Sequence, residues 1–355
     1  MIDFRYHVVS IVAVFLALTV GLVLGASFLK GEQVSLLTSR ITDATNAKNS
    51  LQNQNRSLTT TTKHLNDYID ETKDNLVSNQ LYNDYVVVVR TAGDDETSTD
   101  AVLALAKQAS ATITADVTVN TAFTDSGSAE RLNELMSDYA PTGQSLAGGD
   151  TVTKALNLLT EALTAQATST AAGSGTGSTA GASATASASA TSTPPVSTAP
   201  ATMTAEWSVK TLDAFKAIGV IAVTTMPAAA TMTKPTAAFI SAPTASAPDA
   251  QNQAYVTLAQ SLHAAGVGPV VGGPAAAAGS GGLITELLKS TAAAKTISSV
   301  NDMDQTIGQV AVVFVLYQES ANPAVGAGHY GTTGSTDGVM PKLPSLTPPT
   351  PSSSS

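Results

Sequence analysis

The chain has 355 residues, 43% of them hydrophobic, which suffices for a sizeable core and fits two or three domains. The net charge is −10 and only 12% of residues are charged; with no basic cluster, nucleic acid is excluded as a partner, because neutralising phosphates takes grouped Lys and Arg. Cysteine is absent, which excludes disulfides, thiolate metal sites and thiol nucleophiles.

The chain opens with MIDFRYHVVSIVAVFLALTVGLVLGASFLK, in which no charged side chain falls between Arg5 and Lys30. A helix from Val8 to Leu29 would run roughly 33 Å, enough to cross a bilayer. A secretory signal has a shorter apolar region and a small-x-small cleavage site, of which Gly25-Ala26-Ser27 is a poor version, so an uncleaved anchor is the expectation and a cleaved signal the alternative. Ala13, Ala17, Gly21 and Gly25 fall on one helical face, and Gly21 to Gly25 is a literal G-x-x-x-G, the pattern that lets two membrane helices approach closely. Apolar helices are also simply rich in Ala and Gly. Arg5 lies on one side of the segment and Lys30 and Arg40 on the other, so charge does not fix orientation. The acidic body with its Ser/Thr/Pro-rich tract favours a cytoplasmic N-terminus and an extracytoplasmic body.

From residue 34 an apolar seam follows one heptad register: Val34, Leu37, Ile41, Ala44, Leu51, Leu58, Leu65, Ile69 and Leu76. Lys48, Asn55, Thr62 and Thr72 interrupt it, and polar residues at such positions weaken a coiled coil while fixing its register. With the small-residue face above, the seam predicts a parallel homo-oligomer. The alternative is an amphipathic helix packed on its own domain.

At Tyr85 the period changes. VVVVR (86–90) predicts a strand buried on both faces, followed by a helix over 97–110, a strand over 111–120 and a helix over 128–139 opened by Asp125 or Ser126. A further helix is predicted over 151–165. Residues 167–205 carry no charge and almost no large apolar side chain, the composition of a disordered insertion. Beyond it come a helix near 205–217, strands at 219–225 and 237–241, a helix near 249–265 and a strand at 268–273. Then follow a helix at 283–290, a strand at 296–300, a short helix near 303–308 and a strand at 310–318. This alternation predicts an α/β fold with a mostly parallel sheet. The organisation is a flank (1–6), a transmembrane anchor (7–29), a coiled-coil helix (30–82), an α/β domain in two parts (83–166 and 205–325) around the insertion (167–204), and a disordered tail (326–355).

Motifs for chemistry are weak. The Gly-rich stretch 270–288 joins a strand to a helix, where amides can hold an anion, but it matches neither phosphate-loop fingerprint. No G-x-S-x-G elbow stands at a strand–helix junction, which leaves an exported hydrolase as a minor reading. Asp302 and Asp304 flank Met303, and helix capping explains Asp302 more simply than catalysis. Of the four histidines, His329 in GAGHYG (326–331) is the one metal-ligand candidate, its co-ligands having to come from afar. No cofactor motif is present, and the chain reads as non-enzymatic.

The N-terminal MIDFRYHVVSIVAVFLALTVGLVLG, the helical segment after it, SSVNDMDQTIGQVAVVFVLYQ (298–318) and GHYG (328–331), in that order, resemble the copper transport protein B (MctB) family of actinobacteria over about residues 1–165 and 205–335. The resemblance implies an envelope protein with an N-terminal membrane segment, linked to copper efflux and resistance and described as a pore former in the outer envelope, with copper ions as transported species. The residues themselves do not describe a barrel, whose strands alternate apolar and polar over about 9–11 residues. A pore would need an oligomer. Two readings follow: a transport-linked envelope protein contacting membrane lipid through its first helix, or a membrane-anchored coiled-coil scaffold.

Overall fold

The computed structural model describes residues 4–141, 146, 148–166, 204–321, 326–334 and 336–342. The chain forms two compact units, residues 1–67 and 68–355. The described part of the first unit is helical throughout and belongs to α1 (Phe4–Val77), whose last ten residues are part of the second unit. Along it the hydroxyls of Thr42, Thr45 and Thr59 bond back to carbonyls four residues earlier, which satisfies them without breaking the helix. The helix ends where Asn79 adopts a left-handed conformation, φ 57°.

The second unit is built on one seven-stranded sheet. Its strands are β1 (Tyr85–Thr91), β2 (Thr112–Val119), β3 (Ile221–Thr225), β4 (Ala237–Ser241), β5 (Gly268–Gly272), β6 (Ser298–Val300) and β7 (His329–Tyr330). Their order is β3-β2-β1-β4-β5-β6-β7, parallel throughout except for the antiparallel β2–β3 pair at one edge. The helices are α2 (Glu96–Gln108), α3 (Ala129–Tyr139), α4 (Thr151–Thr164), α5 (Ala205–Ala217), α6 (Asp249–Ala264), α7 (Leu283–Lys289), α8 (Thr291–Ala294) and α9 (Thr306–Ala321). Side-chain caps set several starts: Asp95 accepts from Thr97 and Ser98, Asp150 from Thr153, and Thr204 from Trp207.

Both faces of the sheet are covered. Val87 and Val89 enter one core with α3, α4, α5, α6 and α7, while Val86 and Val88 enter the other with α2, α9 and the end of α1. Alternating side chains therefore meet apolar partners on either side, which is why the strand reads VVVV rather than alternating with polar residues. Sequence from both sides of the 167–204 insertion contributes to the one sheet; residues 167–203 lie outside the described residues, and Thr204 already caps α5.

Three expectations are corrected. Residues 310–318 form no strand but the body of α9, with Val310 through Leu316 all buried. The helix packs on β4, β5 and β6 and against α2, so it is apolar on every side, and a continuous apolar run carries no period by which to tell helix from strand. Part of 326–355, expected as a disordered tail, joins the sheet instead: β7 pairs in parallel with β6 through Ser299↔His329 and Val300↔Tyr330. A two-residue strand held by non-local hydrogen bonds leaves no apolar run to recognise. Residues 343–355 lie outside the described residues. Asp302 caps no helix: its carboxylate accepts from Thr332 N–H at 2.5 Å and Thr332 Oγ1 at 2.9 Å.

Candidate functional site

In the first unit, residues Arg5–Gly25 are long and apolar enough to cross a bilayer, with mean hydropathy 2.7 and none of the segment buried in the protein. Ala13, Ala17, Gly21 and Gly25 lie on this exposed stretch. A Cβ added at Gly21 or Gly25 would meet nothing within 4 Å among the described residues, so the chain's own packing gives these glycines no reason to lack one. Leu37, Ile41, Leu51, Leu58 and Leu65 are each more than half exposed. Val34 is helical, but its side chain lies outside the described residues. Ile69 differs: it belongs to the second unit and packs half-buried against the core beneath α9.

In the second unit, strand order reverses between β1 and β4. Open α/β sheets bind ligands in the crevice outside the carboxyl ends of strands at such a point. Here side chains fill it. Arg90, last of the VVVVR run and 8% exposed, donates from Nε and Nη2 to Asp116 of β2 at 2.9 and 3.0 Å and from Nη2 to Asp100 of α2 at 2.7 Å. Burial works against the Arg90 charge, but the hydrogen bonds and charges of Asp116 and Asp100 outweigh it and hold the guanidinium protonated. Asp94 lies 4.0 Å from Arg90; burial pushes its carboxyl up against the opposing hydroxyl of Thr99 and the Arg90 charge.

Beside this ion-pair group, Thr91 Oγ1 donates to the Ser241 carbonyl at 2.7 Å, and the Thr99 and Ser241 hydroxyls are 2.7 Å apart. The loops after β1 and β4 are joined by Thr244, whose N–H and hydroxyl both reach the Gly93 carbonyl at 2.8 and 3.1 Å. Tyr255 of α6, 2% exposed, accepts from Ala92 N–H and Gln251 Nε2 and donates to the Val119 carbonyl, tying the ends of β1 and β2 to α6. The polar groups at the strand ends are thus spent on one another.

The Gly-rich loop is similarly spent on its own structure. Gly273 N–H bonds Val300 O, Ala277 N–H bonds Pro274 O, Gly279 N–H bonds Ala276 O and Gly282 N–H bonds Gly279 O. Its glycines answer to packing: a Cβ on Gly272 would sit 2.8 Å from Phe239 and 3.0 Å from Met303.

SSVND (298–302) and GHYGTT (328–333), far apart in sequence, are brought side by side. Ser298 Oγ accepts from Gly328 N–H at 3.0 Å, Asn301 Nδ2 donates to Thr333 O at 2.6 Å, and Asp302 holds Thr332. His329 is engaged at both ring nitrogens. Nε2 lies 2.9 Å from the Ala294 carbonyl, which can only accept, so Nε2 carries the proton and Nδ1 accepts from Ser299 Oγ at 3.0 Å. Among the described residues no group of three or more His, Asp or Glu side chains is arranged to hold a metal ion. Asp304 is exposed and Asp302 is committed to Thr332.

Reading the sequence alone misses Arg90, Asp116, Tyr255 and Glu319. Two of these carried a signal: an Arg closing a run of four valines and an Asp inside an otherwise apolar strand each demand a buried counter-charge.

A membrane-length N-terminal helix followed by an α/β unit on a mostly parallel sheet defines the class of protein. The chain belongs to the family described as "Copper transport outer membrane protein, MctB", which it matches over residues 1–341. It is 31% identical over 147 residues to proteins named "Copper transporter MctB" from Mycobacterium tuberculosis and Mycobacterium bovis. That alignment covers 41% of this chain and 47% of each relative, so it spans about half their length.

Proposed function

We propose that this chain is a non-enzymatic envelope protein acting in copper transport. The observation that carries the reading is the family match over residues 1–341, which includes the apolar helix as well as the head. In this reading residues 5–25 sit in membrane lipid with the N-terminus on the cytoplasmic side and the head outside. The Ala13–Gly25 face and the Leu37–Leu65 seam join copies into a parallel homo-oligomer, and copper passes through the assembly. Two features support association: Gly21 and Gly25 have no intrachain reason to be glycine, which costs a helix about 1 kcal/mol relative to Ala, and the seam leucines are exposed. A single apolar helix cannot itself enclose a channel, so in this reading conduction falls to the oligomer.

The test is a deletion strain complemented with the intact gene. Loss of the protein is expected to raise cell-associated copper and lower copper tolerance; unchanged values for both would sink the transport reading. Bilayer conductance of the purified full chain then tests the pore. Equal conductance from a form lacking residues 1–30 would remove the helix from it.

A second reading, an anchored scaffold without transport, is favoured by the switch point, where Arg90, Tyr255 and Thr244 spend their polar groups on the protein's own strand ends. It predicts normal cell-associated copper in the deletion strain, while the purified full chain still forms oligomers.

A further inference from the structure

The residue types along the seam of α1 say what covers it and how many helices meet there. Its a positions hold the β-branched Val34, Ile41 and Thr62, with polar Lys48 and Asn55 between them. Its d positions hold Leu, at 37, 51, 58 and 65, except for Ala44. Leu51 is 64% exposed and Leu58 67%, and a row of exposed leucines along one helix face marks an interface. The row ends at Leu65, because Ile69, the next a residue, packs half-buried against the core of its own unit. Residues 34–65 thus offer roughly 48 Å of helix at 1.5 Å per residue.

A second copy of the chain fits this face. Among the positions flanking the seam only Arg40 is charged, and the flanking hydroxyls of Thr45 and Thr59 are bonded within their own helix. Flanking charges are what select a different partner helix, so their scarcity leaves a like copy unopposed. Two copies held in one membrane through residues 5–25 have their seams running the same way from the same level, which makes the pairing parallel and in register.

The number of strands follows from the same positions. β-branched residues at a with Leu at d favour two strands, whereas Ile at d or Leu at a shifts the preference to three or four. No d position from 37 to 65 holds Ile, and no a position from 34 to 62 holds Leu. Asn55 suits a pair, since an amide carries both donors and an acceptor and two facing copies answer each other. Lys48 works against it by setting two like charges across the axis.

We infer that α1 pairs with α1 of one second copy as a parallel, two-stranded coiled coil over residues 34–65. This rests on the helical association that both functional readings share, and adds its number and register. Two apolar helices in contact leave no lumen between them, so α1 acts as anchor and joint rather than as the wall of a pore.

Sedimentation equilibrium of the full chain in density-matched micelles should give twice the chain mass. A single chain would overturn the association itself; three or more chains would leave the association standing and overturn the pair. Because the chain has no cysteine, one introduced thiol reports alone. Leu58→Cys, at d, sets two thiols across the axis within disulfide reach, Cα atoms about 4.4–6.8 Å apart, and mild oxidation should link nearly all chains in pairs. A three-stranded bundle would leave every third chain unlinked. Thr60→Cys, on the outer face, should link few chains. Equal linking by both variants, or none by Leu58→Cys, would overturn the seam. Lys48→Ile removes the facing charges and adds apolar contact, so the pair should persist to about tenfold lower protein concentration or beyond. An unchanged midpoint would take Lys48 out of the interface and overturn the register. Trp207 fluorescence confirms that the head is folded in each variant.

Discussion

Glu319, in the last turns of α9, is 2% exposed, and burial pushes its carboxyl up to about 7 from an ordinary 4.5. The one opposing influence is Ser298, whose hydroxyl donates to Oε1 at 2.5 Å while accepting from Gly328 N–H. Because the folded value lies above the unfolded one, the stability tied to the neutral carboxyl is fully present below about pH 4.5. It declines as pH rises to about 7 and is lost above that. At about 1.4 kcal/mol per decade, the gap between 4.5 and about 7 corresponds to about 3 kcal/mol. Glu319→Gln keeps an acceptor for Ser298 and removes the titration. Urea unfolding of the full chain in micelles, followed by fluorescence of the single Trp207, reads the head directly, since that indole donates to Tyr139 O at 2.9 Å. From about pH 4 to about pH 8 the unmodified chain should lose about 3 kcal/mol more than the variant. If both lose the same amount, burial is not what sets the Glu319 carboxyl, and the reasoning fails.

Removing the Arg90 charge leaves Asp116 buried without its partner, so Arg90→Met should cost about 3–5 kcal/mol in the same unfolding measurement. Adding Asp116→Leu should recover part of that loss, because one of the two buried carboxylates facing Arg90 goes with it while Asp94 remains; a double variant as unstable as the single one would count against the ion pair. Gly308 opens α9 against the Asp302 carbonyl with no room for a Cβ, so Gly308→Ala should lower the unfolding midpoint sharply, whereas Gly334→Ala, with open space around it, should cost only the strain of its positive φ. Association is tested with Gly21→Leu and Gly25→Leu combined with Leu51→Asp and Leu58→Asp. Sedimentation in micelles should report monomers, and an intact oligomer would disprove the helical interface.

Most strands and helices of the head were legible because local pattern and tertiary demand agree. Four valines in a row fit only a strand with apolar cover on both sides, and Val86/Val88 against Val87/Val89 realise that division. The same rule misleads at 310–318, where an equally continuous run is a helix enclosed on all sides; only its span with the preceding Thr306–Gln309 turn, 16 residues in α9, argues against a strand. The short β7 sits beyond pattern recognition, since His329–Tyr330 is held by partners 30 residues away, whereas β6 (Ser298–Val300) falls within the strand expected at 296–300. Buried polar groups were the hardest to foresee. The identity of Arg90 or Asp116 announces a need for a partner, but which partner depends on β1 lying next to β2.

The segments SSVND and GHYG, on which the sequence resemblance in the head rests, have structural work of their own. Each polar side chain in SSVND is answered within the fold: Ser298 by Glu319 and Gly328, Ser299 by His329, Asn301 by Thr333 and Asp302 by Thr332. Gly331, at φ +133°, passes where Asn301 Oδ1 leaves no space for a side chain. His329, the histidine most suggestive of a ligand in sequence, uses one ring nitrogen on Ala294 and the other on Ser299. A metal would have to displace one of those bonds, giving up a satisfied, half-buried contact to gain a single ligand. The motif pair therefore fastens β7 onto the sheet. If His329 is only a fastener, His329→Gln should keep most of the β7 pairing and leave copper handling in cells unchanged, provided the head folds. A selective loss of copper tolerance by a folded variant would instead make the ring itself part of the transport chemistry.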